Sequence, residues 1–436
     1  MSNNLSGTLE KLCEPLGVLI KKNSHHRKCR SLTDEDWARG GILRALSLEA
    51  SGRGHLQHLT LTQESFTHVG HYFASLKSKR RLKFVEELST QLSRTKNAWD
   101  YCDDPFADCS DLDNFDIYSG DGHYHGAPVH EKMVKGKKYG TQHFYGRNMR
   151  NHMVFQLDVA EYGGWRKKES DIRMLRRQDI EKLRQAAEVG RKVLWVWDSA
   201  CMDFMQWFKW KMNSGIYFLT KEKKLNNLQI IGKPPFDSND PINHGVLKDE
   251  MVTGSSCGSQ MRRVTYKCPD TEVVYHFVTN LNHTIRPGVI AYLYKCRWNI
   301  EKTYNTFKHK FNEKKAWATK PEAEKAQAHF LCLAHNLSLI LNRKIQRETP
   351  PSNDNSQRQE KGININDKHI KRRKKRQKSL LEKTQKKGRH VGELLLREHR
   401  LAELPVVFYR WLREFVKIRA SWVDSVEQLW RCCAVF

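Results

Sequence analysis

Hydrophobic and polar positions follow a helical spacing in the first part of the chain. Over residues 63–92, apolar side chains recur every three or four positions, and the basic stretch 77–81 interrupts them. We therefore predict a helical N-terminal region over residues 1–110. It is either a DNA-binding module or a helical lid on the main domain, because helices with basic breaks occur in both.

After about residue 113 the spacing changes to the alternation that is typical of β-strands. The strand NFDIYSGD is predicted to run into a tight turn at Gly120-Asp121-Gly122. The run VLWVWD (193–198) is apolar throughout, which suits a strand buried on both faces. Further predicted elements are a strand at 153–162, an amphipathic helix at 170–189, an apolar helix at 201–212 and a strand at 215–220. Strands and helices in this order predict a mixed α/β layered fold.

A β-rich insertion is predicted at about 222–285. Its first part has the composition of loops, and RRVTYK and EVVYHFVTN, joined by CPDT, form the pattern of a β-hairpin. Two helices are predicted to follow, at 287–310 and at Pro321–Leu341.

The end of the chain is predicted to be a linker followed by helices. Residues 346–390 are polar and then basic, and the segment 366–390 is rich in Lys and Arg. This basic segment either grips phosphates without sequence preference or is a solvated arm with no dedicated role. Residues 391–436 return to an amphipathic helical pattern, interrupted at Pro405. They either pack on the core or form a dimerisation surface with a second copy.

The net charge of +27 favours a polyanionic partner, and nucleic acid is the commonest one. We find no run of about 18 apolar residues that could span a bilayer, and no layout of a signal peptide at the start. The 11 cysteines include no CxxC pair, which argues against a disulfide framework and a zinc ribbon. We therefore expect a cytoplasmic protein with no membrane partner.

The segment YKCRWNIEKTYNTFK (294–308) has one acid among four basic residues. In a single regular helix, which turns about 100° per residue, its first Tyr, its Arg, its Glu and its last Lys share an arc of about 60°. These residues are Tyr294, Arg297, Glu301 and Lys308. The face is either a surface stripe with an Arg297–Glu301 pair or a site for phosphodiester chemistry. In the second case, the acid holds a divalent cation and the other side chains hold phosphates.

Two aspartates are placed where they could join that acid. Asp121 is expected to end the first strand, and Asp198 ends VLWVWD. Carboxylates at the ends of adjacent strands converge at one edge of a sheet, and such acids can hold two metal ions about 3.5–4 Å apart. Each Asp alone is weak support, because Asp often caps a strand or begins a turn. Together with Glu301 they predict a metal-dependent site.

Other acids and histidines fit this site less well. We expect Asp158 to be a paired or exposed strand residue, and Asp116 and Asp203 to be surface or helix-start residues. Three histidines lie in DGHYHGAPVH: His123, His125 and His130. They raise the alternative of a zinc site, but no cysteine or third spaced ligand supports it. We expect them to be strand or DNA-facing residues.

The spacing Y-(2)-R-(3)-E-(6)-K over Tyr294–Lys308 matches the signature of a large group of DDE transposases from bacterial insertion sequences. GDGHYH around Asp121 is similar to the first-aspartate region of that group, and LWVWDSA around Asp198 to the second. The hairpin that ends in HFVTN is similar to its β insertion. The resemblance covers roughly residues 60–345.

This resemblance implies a ribonuclease-H-like catalytic domain at 111–345, with Asp121, Asp198 and Glu301 as catalytic and metal-binding residues. It implies two Mg²⁺ (or Mn²⁺) ions, cleavage of phosphodiester bonds at transposon ends, and joining of the freed 3′-hydroxyls to target DNA. The implied partners are double-stranded DNA with terminal inverted repeats and a second copy of the chain in a synaptic complex. The implied location is the bacterial cytoplasm, on the nucleoid when bound to DNA.

The resemblance also assigns DNA contacts. Tyr294, Arg297 and Lys308 are expected to hold phosphates near the cleaved end. In some members, which form a hairpin at the DNA end, a tryptophan near the signature arginine stacks on a flipped base. Trp298 either has this role, worth about 1–3 kcal/mol, or is buried under the helix. Two other functions would use the same residues: DNA binding by a decayed or co-opted transposase, and a metal-dependent nuclease without strand transfer.

Overall fold

The structure is a computed structural model that describes residues 7–24, 32–47, 51–63, 69–95, 104–128, 130–161, 169–223, 228–254, 260–269, 271–348 and 406–435. The predicted linker beyond residue 348, with its basic segment 366–390, lies outside these ranges, and so does Pro405. The N-terminal region is helical, as predicted. Its helices are α1 (Gly7–Cys13), α2 (Gly17–Asn23), α3 (Asp34–Leu46), α4 (Gly52–Gln63), α5 (Val69–Leu76) and α6 (Lys79–Arg94).

The basic stretch 77–81 does interrupt the helical pattern. Its Ser78 has an extended backbone, and its side chain accepts a hydrogen bond from the Arg81 N–H. This is the geometry of a helix start, so α6 begins a new helix instead of continuing α5.

One mixed sheet of nine strands forms the centre of the described chain. The strands are β1 (Phe115–His125), β2 (Thr141–Asn148), β3 (Val154–Val159), β4 (Lys192–Trp197), β5 (Ile216–Lys221), β6 (Leu228–Gly232), β7 (Val246–Gly254), β8 (Gln260–Lys267) and β9 (Val274–Thr279). Their order is β3-β2-β1-β4-β5-β9-β8-β7-β6. The pairs β1–β4 and β4–β5 are parallel, and the other neighbours are antiparallel. This confirms the mixed α/β class, and the order of the first five strands is consistent with a ribonuclease-H-like fold.

The first strand is longer than predicted. β1 does not turn at Gly120-Asp121-Gly122 but continues to His125, and Asp121 pairs with Tyr145 in the middle of β2. The prediction that Asp121 ends its strand is therefore wrong. The glycines favour a turn locally, but pairing with β2 keeps the chain extended as far as His125. The sequence pattern did not predict β2, because polar residues and glycine interrupt its apolar residues. Most of β2 is nevertheless buried.

The insertion after β5 is β-rich, as predicted. The predicted hairpin is β8–β9, and two more strands, β6 and β7, lie in the segment with loop-like composition. The insertion joins the main sheet where β9 pairs with β5, with Leu219 opposite Thr279.

The helix predicted at 170–189 is two short helices, α7 (Asp171–Arg176) and α8 (Ile180–Arg184). Asp179 separates them, because its extended backbone and its side-chain bond to the Glu181 N–H begin a new helix. The predicted apolar helix is α9 (Phe204–Ser214). It ends at Gly215, whose φ of +61° is the left-handed conformation that glycine adopts without strain.

The helix predicted at 287–310 is also two helices, α10 (Pro287–Cys296) and α11 (Asn299–His309). Between them, Trp298 N–H bonds to Lys295 O, and Glu301 N–H bonds to Trp298 O. These bonds span three residues instead of four, which is the tighter winding of a 3₁₀ turn. The shared arc that we derived for one regular helix is therefore wrong. The two helices α10 and α11 bury their apolar faces in different apolar clusters.

Among the residues that the structure describes, three apolar clusters form the core. One lies on the α10 face of the sheet and includes Ile117 and Leu194, and a second lies on the opposite face and includes Tyr118 and Trp195. Neighbouring strand residues thus point to opposite faces, as the pleat requires. The third and largest cluster joins the N-terminal helices to α11, to α12 (Pro321–Glu348), and to α13 (Val406–Phe415) and α14 (Trp422–Val435).

The C-terminal helices pack on the core, which is one of the two alternatives for that region. Leu412 of α13 and Val426 and Leu429 of α14 are buried in the largest cluster. Dimerisation through this region stays a prediction. Among the helices of the described ranges, none has both the length and the apolar character needed to cross a membrane.

Candidate active site

Three carboxylates from three elements meet beside the sheet. β1 and β4 are parallel neighbours, and Gly120 pairs with Trp197. The next residues along the two strands, Asp121 and Asp198, therefore lie at the same level. Asp121 lies within β1, Asp198 begins a 3₁₀ turn directly after β4, and Glu301 lies in the first turn of α11. The structure thus brings together the three acids that the sequence singled out.

The buried guanidinium of Arg297 lies among these acids. Its Nη1 is 3.4 Å from Asp121 Oδ2. Its Nη2 is 3.7 Å from Asp198 Oδ1 and 3.6 Å from Glu301 Oε1. These separations exceed the roughly 2.7–2.9 Å of a close charge-assisted hydrogen bond. The Nε atom has no hydrogen-bond partner in the described part of the chain. The single positive charge of Arg297 is therefore shared by three carboxylates and forms a close ion pair with none of them.

The charge balance of this site perturbs the pKa of Asp121. Burial raises it, Arg297 lowers it, and the neighbouring acids Asp198, Asp171 and Glu301 raise it further, to about 7 in total. A partly buried acid that lies among other acids is a common feature of functional sites, because a bound cation would stabilise its charged form.

Sequence reasoning missed two side chains at this site. The Tyr304 hydroxyl donates a 2.8 Å hydrogen bond to the backbone oxygen of Asp121 and so ties α11 to β1. Its position three residues after Glu301, one helical turn along, is the signal that could have identified it. Asp171 lies against Gly122, where a Cβ would be 2.3 Å from its carboxylate oxygen. No local spacing relates Asp171 to the other acids.

The other residues of the signature lie in different surroundings. Tyr294 is 7% exposed and packs against Phe277, and burial raises the pKa of its hydroxyl to about 12. Lys308 is exposed near the end of α11. Trp298 is 57% exposed, and the Arg297 guanidinium lies 5.9 Å from its ring. The alternative that Trp298 is buried under the helix is therefore wrong.

Two of the three histidines lie behind the acids. His123 and His125 are strand residues, as predicted, but both are buried, so the expectation that they face DNA is wrong for them. The ring of His123 stacks on Tyr304, with centroids 4.3 Å apart. Burial and neighbouring His143 hold the pKa of His125 well below its usual range. His130 is exposed.

The competing acids take part in structural contacts. Asp158 forms a 2.7 Å ion pair with Arg177, and Asp203 begins α9, so both match the expectation. Asp116 does not, because it is buried within β1 and forms a 2.8 Å ion pair with Arg191. Alternation with Ile117 places Asp116 on the same face of β1 as Tyr118, where the ion pair with the arginine stabilises its charge.

A ribonuclease-H-like sheet with three carboxylates on two strands and a helix is the arrangement of metal-dependent enzymes that act on nucleic-acid backbones. The chain belongs to the transposase DDE domain family, which it matches over residues 104–337. The match covers more than half of the chain, from just before β1 into α12, and includes all three acids. No curated protein matches the sequence significantly.

Membership of this family makes the chain a relative of transposases, which are DNA-binding enzymes that typically use divalent metal ions. The match does not show that the chain belongs to the Y-(2)-R-(3)-E-(6)-K group, and it does not show the individual reaction steps.

Proposed function

We propose that the chain is a DNA transposase of the Y-(2)-R-(3)-E-(6)-K group. It cuts phosphodiester bonds at the ends of a mobile element and joins the freed 3′-hydroxyls to target DNA. The observation that carries this proposal is the meeting of Asp121, Asp198 and Glu301 around one guanidinium. The net charge of +27 supports binding to DNA ends with terminal inverted repeats and to target DNA.

These three acids would hold two Mg²⁺ (or Mn²⁺) ions. Carboxylate oxygens are the donors that such hard cations prefer, so the residues fit the group. The raised pKa of Asp121 supports the fit, since its carboxyl lacks a full counter-charge. Ions bound there would lower the pKa of an attacking hydroxyl and would stabilise the leaving oxygen.

Arg297 has two successive roles in this proposal. Without bound cations its single charge offsets part of the charge of the three acids, at separations of 3.4, 3.7 and 3.6 Å. Once the acids hold cations, the guanidinium binds a phosphate near the cleaved end. Lys308, exposed two turns after Glu301 on α11, binds a neighbouring phosphate. Tyr294, with 7% exposure and its ring 5.4 Å from the Arg297 guanidinium, would contact only a phosphate that reaches Arg297.

The exposed ring of Trp298 supports base stacking beside the cleaved end. A large aromatic side chain with 57% of its surface exposed next to an acidic site is available to a ligand. We assign it the stacking role on a flipped base. Two copies of the chain would act on two DNA ends in a synaptic homodimer.

The test is cleavage of DNA that has the element's own ends, with Mg²⁺ or with EDTA. Glu301→Gln keeps the size of the side chain and removes its charge. We expect it to bind DNA ends and not to cut them, as the native protein does in EDTA. The matched control is Glu322→Gln, because Glu322 also lies in the first turn of a helix but far along the chain in α12. It should cut normally.

The products distinguish the three functions. Joined strands indicate a transposase, nicks or fragments alone indicate a nuclease, and binding without cutting by the native protein indicates the DNA-binding function. If Glu301→Gln cuts as well as the native protein does, the assignment of Glu301 is wrong.

A further inference from the structure

A second cluster of metal-binding side chains lies behind the three acids. His123, His125 and Glu313 each offer one ligand atom, and these atoms all lie within 4.8 Å of one another. The exposed fractions of the three residues are 5%, 3% and 2%. Glu313 follows α11 and so supplies the third ligand that the sequence around the histidines lacks.

Two ligand atoms of this cluster are poorly satisfied without an ion. His123 Nε2 and Glu313 Oε2 are buried and have no hydrogen-bond partner within the described ranges. His123 Nε2 lies 3.2 Å from Glu313 Oε1, within the distance of an ion pair but without the alignment of a hydrogen bond. Ligands of a tetrahedral zinc ion, each about 2.0–2.1 Å from it, lie about 3.3 Å from each other. The spacing of this pair therefore suits a shared cation.

The surroundings hold these side chains in place. The Tyr145 hydroxyl and His125 Nε2 are 2.7 Å apart, a bond that orients the imidazole ring. The loop with Glu313 lies close against the end of β1, because a Cβ on Gly126 would be 2.3 Å from the Lys314 oxygen. Asn312 N–H also donates to Ala45 O at 2.8 Å. Fixed ligands of this kind are a condition for a metal site.

We propose that His123, His125 and Glu313 bind one borderline transition-metal dication, of which Zn²⁺ is the representative. Two imidazoles and one carboxylate are a donor set that suits Zn²⁺, whereas the all-oxygen set of the proposed catalytic acids suits Mg²⁺. A fourth position is open to water or to His143, whose Nε2 is also buried without a partner in the described structure.

This site would be structural and would act on the proposed catalytic geometry. His123 lies two residues after Asp121 on β1, and Glu313 follows the helix that carries Glu301. An ion held by both elements ties them together beside the acids. It therefore holds two of the three acids at a constant separation.

The test uses the full-length protein, freed of metal with EDTA and dialysed, with Zn²⁺ alone as the probe. We expect one tightly bound ion per chain and a higher melting temperature with Zn²⁺. Glu313→Gln and His125→Asn should each weaken binding at least about 100-fold, since even loss of an outer-shell partner costs about 10–100-fold. His130→Asn, a change of the exposed histidine nearby, should keep the tight site.

Glu301→Gln separates this site from the proposed catalytic acids. It should also keep the tight zinc ion, because Glu301 is not among its ligands. X-ray absorption of the Zn²⁺-loaded native protein should show two imidazoles in the coordination shell, or three if His143 is the fourth ligand, a result that does not depend on how well any variant folds. The proposal is overturned by an oxygen-only shell, by no tight binding, by tight binding that survives Glu313→Gln, or by its loss in Glu301→Gln.

Discussion

At the scale of single residues, the site is governed by one buried cation and the acids around it. The pKa of Asp121 rises from 3.8 to about 7, with burial as the largest cause. Between these two values the folded protein holds a proton that the unfolded chain has released. The contribution of Asp121 to stability is therefore greatest at low pH and is lost as pH rises through about 7.

Asp121→Asn should remove this pH dependence, because the amide does not ionise. The rise from 3.8 to about 7 is about 3 pKa units, each worth about 1.4 kcal/mol, so we expect the metal-free variant to be about 4 kcal/mol more stable than the native protein at pH 8. The difference should be smaller at pH 5. Denaturant unfolding of both proteins in EDTA measures it. Equal stability at both pH values would contradict the burial argument for Asp121.

Trp298→Ala tests a residue whose proposed role is to contact DNA and not to stabilise the fold. Because 57% of its surface is exposed, we expect stability to change by no more than about 0.5 kcal/mol. Affinity for cleaved DNA ends should fall by about 1–3 kcal/mol, which is what stacking on one base contributes. Binding to ends with a fluorescent base analogue measures this decrease, and Trp298→Phe should retain most of the affinity. Unchanged binding by the Ala variant would exclude the stacking role.

At the scale of elements, the close packing of β1 against β4 aligns the two aspartates. The Trp197 ring is fully buried and stacks on Trp195, with centroids 4.5 Å apart. It also lies over Gly120, where a Cβ would be 2.2 Å from the ring. Glycine at this position allows the ring and strand to pack together one residue before Asp121 and Asp198.

Gly120→Ala should therefore destabilise the protein, by about 1–3 kcal/mol, and reduce cleavage as Asp121 shifts. Gly17→Ala is the matched control, because a Cβ there meets nothing within 4 Å and its φ of −55° is helical. It should be neutral or stabilising by up to about 1 kcal/mol. Melting temperatures of both variants test this difference. Equal values would show that the Trp197 ring can move to accommodate the added methyl group without loss of stability.

Elements also show where local patterns stop being sufficient. The apolar runs of β4 and α9 and the hairpin β8–β9 were predictable, because their own periodicity or turn residues specify them. The path of β1 through Asp121, the strand β2 and the turn between α10 and α11 were not. Each of these depends on a partner distant in the chain: β1 and β2 on their mutual pairing, and the turn on two separate cores that bury its two helices.

At the scale of the whole molecule, net charge and the basic segment bear on DNA binding. A net charge of +27 predicts affinity that falls linearly with salt on logarithmic axes. The slope measures the number of phosphates neutralised, so it can separate the two alternatives for residues 366–390.

Replacing the six basic residues KRRKKR at 371–376 by Gln should reduce this slope if the segment grips phosphates. Each phosphate that the variant no longer neutralises lowers the slope by about 0.9 on duplex DNA. The measurement is binding to duplexes with and without the terminal repeats, over a range of salt. Affinity should fall equally for both duplexes, since side chains that bind phosphates do not read sequence. An unchanged slope would favour the arm with no dedicated role.

The residue pattern alone was sufficient to single out the three acids of the candidate site and the class of the fold. The spacing of Tyr294, Arg297, Glu301 and Lys308 and the two strand-associated aspartates are local features, and alternation and helical periodicity identify elements over a few residues. Only the tertiary structure decided how these side chains are used. It buried Arg297 among the acids, exposed Trp298, and placed Tyr304, Asp171 and Glu313 beside residues far away in the chain. Burial and pairing across such distances depend on packing between elements, which local spacing does not encode.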